Sequence, residues 1–183
     1  MSMRVISGFL KSRVILGDNI EGTRPTMNRV KMSLFSMINQ KLEGSVCLDL
    51  FAGSGSLGIE AISNGAKKVI FVDNNKKCID AINKNIKNLK IESYCEVYLG
   101  DYLNALKRIN QKLDIIFLDP PYKMNVTNEI FEIVNSKKML NEDGMIVVEY
   151  SQNIPENIEN FEVIKEKKYG DKYIKVYKIK YWL

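Results

Sequence analysis

From residue 46 to residue 150 the chain alternates short apolar runs with amphipathic stretches. The runs at Val46–Phe51, Lys68–Asp73, Tyr94–Leu99, Leu113–Asp119 and Met145–Tyr150 predict strands. Between them, 3.6-residue spacing predicts helices at Leu57–Asn64, Lys76–Leu89, Tyr102–Ile109 and Asn128–Asn135. Short Val/Ile/Leu strands separated by helices imply an α/β fold, a mostly parallel sheet covered on both faces.

Both ends depart from that rhythm. Arg4–Leu16 reads as two short strands around a turn between Ser7 and Ser12. Val30, Leu34, Met37 and Ile38 mark one face of a helix expected over Asn28–Lys41, with Asn28 as its N-cap. Phe161–Lys168 and Lys172–Lys180 meet at Gly170-Asp171 and predict an antiparallel hairpin at the sheet edge. The expected organisation is a single domain, with a basic N-terminal hairpin or arm at 1–27 and a Rossmann-like core at 28–183. No apolar run approaches the ~20 residues that span a bilayer. The opening Met1-Ser2-Met3-Arg4 has no apolar signal core behind it, so a cytoplasmic protein is expected.

Composition narrows the chemistry. The 183 residues contain no histidine, which removes histidine-based triads, acid/base catalysis and metal sites. Cys47, Cys78 and Cys95 lack metal-ligand spacing and read as free thiols in a reducing compartment, with no metal expected. The net charge of +5 is unevenly spread. Residues 1–45 hold seven Lys/Arg against three Asp/Glu, as do residues 161–183, while the middle holds thirteen against sixteen. Basic ends around an acidic centre suggest arms that meet phosphate. Arg4, Lys11, Arg13 and Arg29 are the candidate contacts.

The chemistry-bearing segments lie at predicted strand ends. Leu48-Asp49-Leu50-Phe51-Ala52-Gly53-Ser54-Gly55-Ser56-Leu57-Gly58 is an apolar strand, an acid and a G-x-G-x-x-G turn opening a helix. Dinucleotide folds share that glycine pattern, and Asp73, at the next strand end, could take two ribose hydroxyls in either case. Asp49 discriminates. A carboxylate beneath the turn repels a pyrophosphate but favours a ligand carrying an ammonium and a sulfonium. Asp101 closes the third strand and could accept from an adenine amine beside Tyr102, although a helix N-cap is an equal alternative. Methyl transfer from a sulfonium needs no histidine.

Asp119-Pro120-Pro121-Tyr122 follows the buried run Ile115-Ile116-Phe117-Leu118. An exocyclic amine on a base is a poor nucleophile because its lone pair is delocalised into the ring. Accepting its two protons at the Asp119 carboxylate and the Pro120 carbonyl favours a tetrahedral nitrogen with its lone pair aimed at a methyl donor, and these bonds strengthen as charge develops. Tyr122 could stack on the base, which must be unpaired to be reached. The two segments together predict an S-adenosylmethionine-dependent methyltransferase acting on an amino nitrogen of a base.

These motifs resemble the class I methyltransferases, and more narrowly the bacterial 16S rRNA guanine-N2 methyltransferases of the RsmD type. The resemblance runs from Arg4-Val5-Ile6-Ser7-Gly8 through Arg24-Pro25-Thr26, the glycine turn and Asp119-Pro120-Pro121-Tyr122 to Tyr169-Gly170-Asp171. It implies a seven-stranded sheet with an antiparallel last strand. It also implies S-adenosylmethionine as donor, S-adenosylhomocysteine as product, and a guanine N2 in 16S rRNA, naked or in the assembling small subunit, as acceptor for a monomer. The cofactor residues so implied are Arg24, Asp49, Phe51, Ala52, Gly53, Gly55, Asp73, Asn74, Asp101 and Tyr102. The catalytic ones are Asp119, Pro120, Pro121 and Tyr122, and the N-terminal hairpin is expected to touch RNA. The chain departs from the family in carrying Asn28 for the usual Asp, and in a less basic first turn at Ser7-Gly8-Phe9-Leu10. Other readings of the same tetrapeptide are an adenine-N6 or cytosine-N4 DNA methyltransferase and a non-catalytic RNA-binding module. The glycine pattern alone also admits a nicotinamide-dependent oxidoreductase.

Overall fold

The computed structural model describes residues 3–17, 19–20, 28–121, 125–151 and 157–181. Strands β1 (Met3–Arg4) and β2 (Val14–Ile15) pair antiparallel as a separate ribbon. Helix α1 (Asn28–Ile38) runs into a 3-10 turn at Asn39–Lys41. Then follow β3 (Val46–Asp49), α2 (Ser56–Ser63), β4 (Lys68–Asp73), α3 (Lys76–Leu89) and β5 (Cys95–Leu99). The second half comprises α4 (Tyr102–Arg108), β6 (Leu113–Leu118), α5 (Thr127–Ser136), β7 (Leu140–Tyr150), β8 (Phe161–Tyr169) and β9 (Lys172–Ile179). Strands β3 to β9 form one sheet in the order β5-β4-β3-β6-β7-β9-β8.

Alternation within each strand explains why both faces are covered, since successive side chains point to opposite sides. Cys47, Val69, Phe71, Ile115, Phe117 and Val147 pack on the side of α1, α2 and α3. Leu48, Ile70, Val72, Ile116, Leu118 and Val148 pack on the side of α4 and α5. Strands buried on both faces read as continuous apolar runs, which is how they were visible in the sequence. Strands β3, β4, β5, β6 and β7 are mutually parallel where they pair, and β9 is antiparallel to both β7 and β8.

The terminal hairpin lies at the sheet edge as expected, with the last strand, β9, antiparallel between β7 and β8 and β8 outermost. Composition explains the order: β9 buries Ile174, Val176 and Tyr177, whereas Glu162–Lys168 of β8 are all exposed. Charged side chains along an edge discourage pairing with another chain. Asn28, expected as the N-cap, is instead a helical residue of α1, and the residues before it lie outside the described ones. Strand β7 begins at Leu140, five residues before the predicted start, and a register shift between Leu113 and Ile115 accommodates the extra length.

Gly58 fixes how closely α2 approaches the sheet. A Cβ there would lie 2.3 Å from Cε1 of Phe71 and 2.9 Å from Cγ1 of Val69, both fully buried. Gly58→Ala therefore overpacks the core and is expected to cost about 1–3 kcal/mol in urea unfolding. Phe71→Leu, by removing the obstructing ring, should recover part of that loss in the double variant. Strictly additive losses would show that the ring is not what excludes the methyl.

Candidate active site

The crevice follows from strand order. Chain direction along the sheet reverses between β3 and β6: the chain steps from β3 to β4 and β5 on one side, then returns to β6 and β7 on the other. In open parallel sheets such a switch point splays the loops apart at the carboxyl ends of the strands and opens a binding crevice. Asp49 pairs with Phe71 on β4 and with Phe117 on β6, so β3, β4 and β6 end side by side. The Asp119-Pro120-Pro121 corner accordingly sits next to the loop Leu50–Gly55.

The glycine turn is held mainly by two carboxylates. Gly55 precedes α2 with φ of 83°, a left-handed conformation that favours glycine. Asp49, buried, accepts a hydrogen bond from the Gly58 N–H at 3.1 Å. Asp73 accepts from the Gly53 N–H and from the Asn75 N–H, each at 2.9 Å. Ala52 N–H donates to the Val72 carbonyl at 2.9 Å, and Asn74 lies between Asp73 and the Asn75 cap of α3. Burial drives the Asp49 carboxyl up to about 7; the Gly58 N–H opposes the shift and the Asp73 charge reinforces it. Each Asp73 oxygen has a second lone pair, so these contacts leave capacity for ribose hydroxyls.

Beyond β5, Asp101 serves as a helix cap. Its Oδ1 accepts from the Asn104 N–H at 2.9 Å and its Oδ2 from the Asn104 amide at 2.6 Å, which holds its pKa below the usual carboxylate value. Of the two roles open to Asp101, the structure displays the cap. The ring centroids of Phe51 and Tyr102 lie 5.7 Å apart, and the Tyr102 hydroxyl donates to Glu129 at 2.7 Å. Asp119 and Pro120 are half-buried and Pro121 is exposed. Tyr122 and Arg24 lie outside the described residues.

The four candidate phosphate contacts Arg4, Lys11, Arg13 and Arg29 are all exposed. Two of them also brace the ribbon, Arg4 by donating to the Ser12 carbonyl at 2.8 Å and Arg13 to the Asn88 carbonyl at 3.0 Å. The first turn docks on the end of α2: Phe9 N–H donates to the Ser63 carbonyl and Leu10 N–H to the Ser63 hydroxyl.

Three residues the sequence reading missed join this ribbon to the glycine turn. Glu60 of α2 accepts from the Ile6 and Ser7 N–H groups at 2.9–3.0 Å and lies 3.5 Å from the Lys31 ammonium, both side chains being 1% exposed. Lys31 donates to the Arg4 carbonyl at 3.1 Å and to the hydroxyl of Ser56, the first residue of α2, at 2.9 Å. Burial pulls the Lys31 pKa down against the pull of Glu60. Asn85 donates to the carbonyls of Leu16 and Ser54 and accepts from the Leu16 N–H. The signal was present: Glu60 interrupts an otherwise buried helix, and Asn85 sits on the apolar stripe of α3.

The two cysteines expected on strands, Cys47 and Cys95, lie on β3 and β5, and all three thiols are free. Burial raises Cys47 to about 12. Among the described residues no helix is long and apolar enough to cross a membrane.

The sheet order and the carboxyl-end crevice are those of a class I methyltransferase. A solved structure named "Putative methyltransferase yhhF from Escherichia coli" superposes with a TM-score of 0.88 at 25% identity, covering 98% of each chain. The family described as Conserved hypothetical protein 95 matches residues 3–178, and the chain belongs to it. Two curated relatives are "Putative rRNA methyltransferase YlbH" of Bacillus subtilis and the "Ribosomal RNA small subunit methyltransferase D" of Haemophilus influenzae. The first is 39% identical over 96% of this chain and 98% of its own length. The second is 37% identical over 92% and 89%. The family membership inferred from the motifs is thus established, and with it membership among methyltransferases.

The raised Asp49 carboxyl has a measurable consequence. Below about pH 4 it is protonated in folded and unfolded chains alike. As pH rises toward 7 the unfolded carboxyl ionises freely while the buried one resists, so stability is lost across that interval and levels off above it. Asp49→Asn cannot ionise. Without added ligand, its melting temperature relative to the unsubstituted protein should climb between pH 4 and 7 and then stay level. A difference independent of pH would show that Asp49 does not titrate as described.

Proposed function

We propose that the chain, acting as a monomeric single-domain enzyme, transfers a methyl group from S-adenosylmethionine to the exocyclic N2 amine of a guanine in 16S rRNA. The observation that carries this reading is the parallel pairing of β3 with β6, which sets the Asp119-Pro120-Pro121 corner beside the glycine turn. The names of the curated relatives support an rRNA substrate. Guanine N2 and the 16S molecule come from the motif resemblance.

The residues fit the proposed donor. S-adenosylmethionine supplies a methyl group activated by a sulfonium. Asp49, beneath the turn, provides negative potential suited to an ammonium and a sulfonium and unsuited to a pyrophosphate. The Asp73 carboxylate at the end of β4 suits paired ribose hydroxyls, and Phe51, Ala52 and Tyr102 offer apolar cover for a flat heterocycle. Gly53 leaves the turn open, since a Cβ there would meet nothing within 4 Å, whereas Gly55 lets the backbone pack against Ile82 and Phe71.

Across the crevice, Asp119 and the Pro120 carbonyl accept the two protons of the guanine amine and turn its lone pair toward the methyl. S-adenosylmethionine, held by the glycine turn, Asp49 and Asp73, would supply the activated methyl, and Asp119 would take the proton that the nitrogen loses on transfer. Holding the acceptor in line is itself a large part of the acceleration. Tyr122 is assigned by resemblance to stack on the base, and Arg24 to border the cofactor.

Two measurements test this. Tritiated-methyl transfer to rRNA from cells lacking the protein should yield N2-methylguanosine; a different methylated nucleoside would overturn the acceptor. Asp119→Ala should lower kcat by roughly 10²- to 10³-fold, the scale for one transition-state hydrogen-bonding group. S-adenosylhomocysteine affinity should change by only about two- to three-fold. Parallel loss of both would contradict the role given to Asp119.

A further inference from the structure

Beside the proposed acceptor corner, the sheet carries a second group of side chains with the chemistry of a base and its phosphate. Leu118, the last residue of β6, pairs with Val148, so Tyr150 lies two residues beyond that pair, at the end of the sheet from which the Asp119-Pro120 corner leaves. Tyr150 pairs with Tyr173 on β9, and Tyr173 with Lys168 on β8. With strands about 4.8 Å apart, this row extends roughly 15 Å from the end of β6.

The two tyrosine rings stack, with centroids 5.0 Å apart and planes inclined at 18°. Lys168 places its ammonium 5.2 Å from the Tyr173 ring centre, and Lys175 places its own 5.5 Å from that of Tyr150. Glu166, the acid in the group, accepts from the Tyr150 hydroxyl at 3.4 Å and faces the Lys175 ammonium at 3.8 Å. On the same sheet face Ile146, Val148 and Tyr177 are buried in the core, whereas Tyr150 and Tyr173 are half-buried and Lys168 is exposed. The face thus emerges from the core as two aromatic rings with cations beside them, at the end of the sheet where Asp119 lies.

We propose that Tyr150, Tyr173 and Lys168 form a stacking platform for an unpaired nucleotide flanking the methylated one, with Lys175, largely buried and paired with Glu166, bracing the Tyr150 ring. The inference rests on the reading that RNA is the substrate, and adds where the strand next to the target lies. Aromatic rings accept any base by its flat face, and the exposed Lys168 beside them neutralises the phosphate that joins it to the target. A nucleotide held here extends the single-stranded segment whose exposure the target base requires.

The test is binding of a fluorescein-labelled 12-nucleotide single-stranded oligoribonucleotide to the full chain in saturating S-adenosylhomocysteine, followed by anisotropy. Tyr173→Leu, which keeps an apolar side chain but no ring, should weaken binding roughly 5- to 150-fold. Tyr173→Trp should restore it to within about two-fold. Lys168→Gln should reduce the slope of log affinity against log salt by about 0.7, the single-strand value for one phosphate contact. Stabilisation by S-adenosylhomocysteine should survive in all three variants, showing that the fold is intact. Unchanged binding by Tyr173→Leu, or equal loss in the leucine and tryptophan variants, would overturn the platform. Wild-type protein that binds the oligonucleotide through Tyr173 yet methylates no rRNA would sink the substrate reading and leave the platform standing. N2-methylguanosine formation with binding indifferent to Tyr173 would do the reverse.

Discussion

The pairing of β3 with β6 is the constraint on which the site depends. Because Asp49 stands opposite Phe117 in a parallel ladder, the loops leaving the two strands must start from the same edge and diverge. A slip of one residue would turn every side chain of a strand to the other face, putting Leu48 where Cys47 packs and exchanging two different apolar layers. The register is therefore held by the whole core, and the crevice inherits its rigidity. Residues more than sixty positions apart in sequence are thereby brought together.

The electrostatics of the glycine turn distinguish it from the dinucleotide sites whose glycine pattern it shares. There, backbone N–H groups at a helix start face an anion. Here two of the turn's N–H groups, those of Gly53 and Gly58, are taken up by Asp73 and Asp49. Their donor capacity is spent on protein carboxylates. Burial makes that charge costly for Asp49, as its elevated pKa reflects.

Most of the sheet was legible because strands buried on both faces leave unbroken apolar runs. Helix α3 and strand β4 match their predicted limits residue for residue. The order of the last two strands was not legible. A hairpin pattern specifies that two strands pair, but which of them meets β7 depends on comparing the apolar content of β8 with that of β9. Strand β7 was cut short because Asn141-Glu142-Asp143-Gly144 reads as a turn, whereas the register shift against β6 lets those polar residues continue the strand. For the site, Asp49, Asp73 and Asp119 were visible from their places after apolar runs. Asp101 was ambiguous because a carboxylate after a strand and before a helix satisfies both a ligand and a cap pattern. Glu60, Lys31 and Asn85 escaped notice because their partners, backbone and side-chain alike, lie more than twenty positions away.

That buried trio restricts how the chain can vary. Glu60 and Lys31 are each almost wholly removed from water, so replacing one alone strands the other's charge, at about 3–5 kcal/mol. An apolar residue at one position is tolerable only with a matching change at the other, and Ile6 and Ser7 would still need a new acceptor for their N–H groups. The ribbon and the start of α2 are consequently bound to drift together through substitution. The outermost segment of the chain is thereby tied to one of its most deeply enclosed helices.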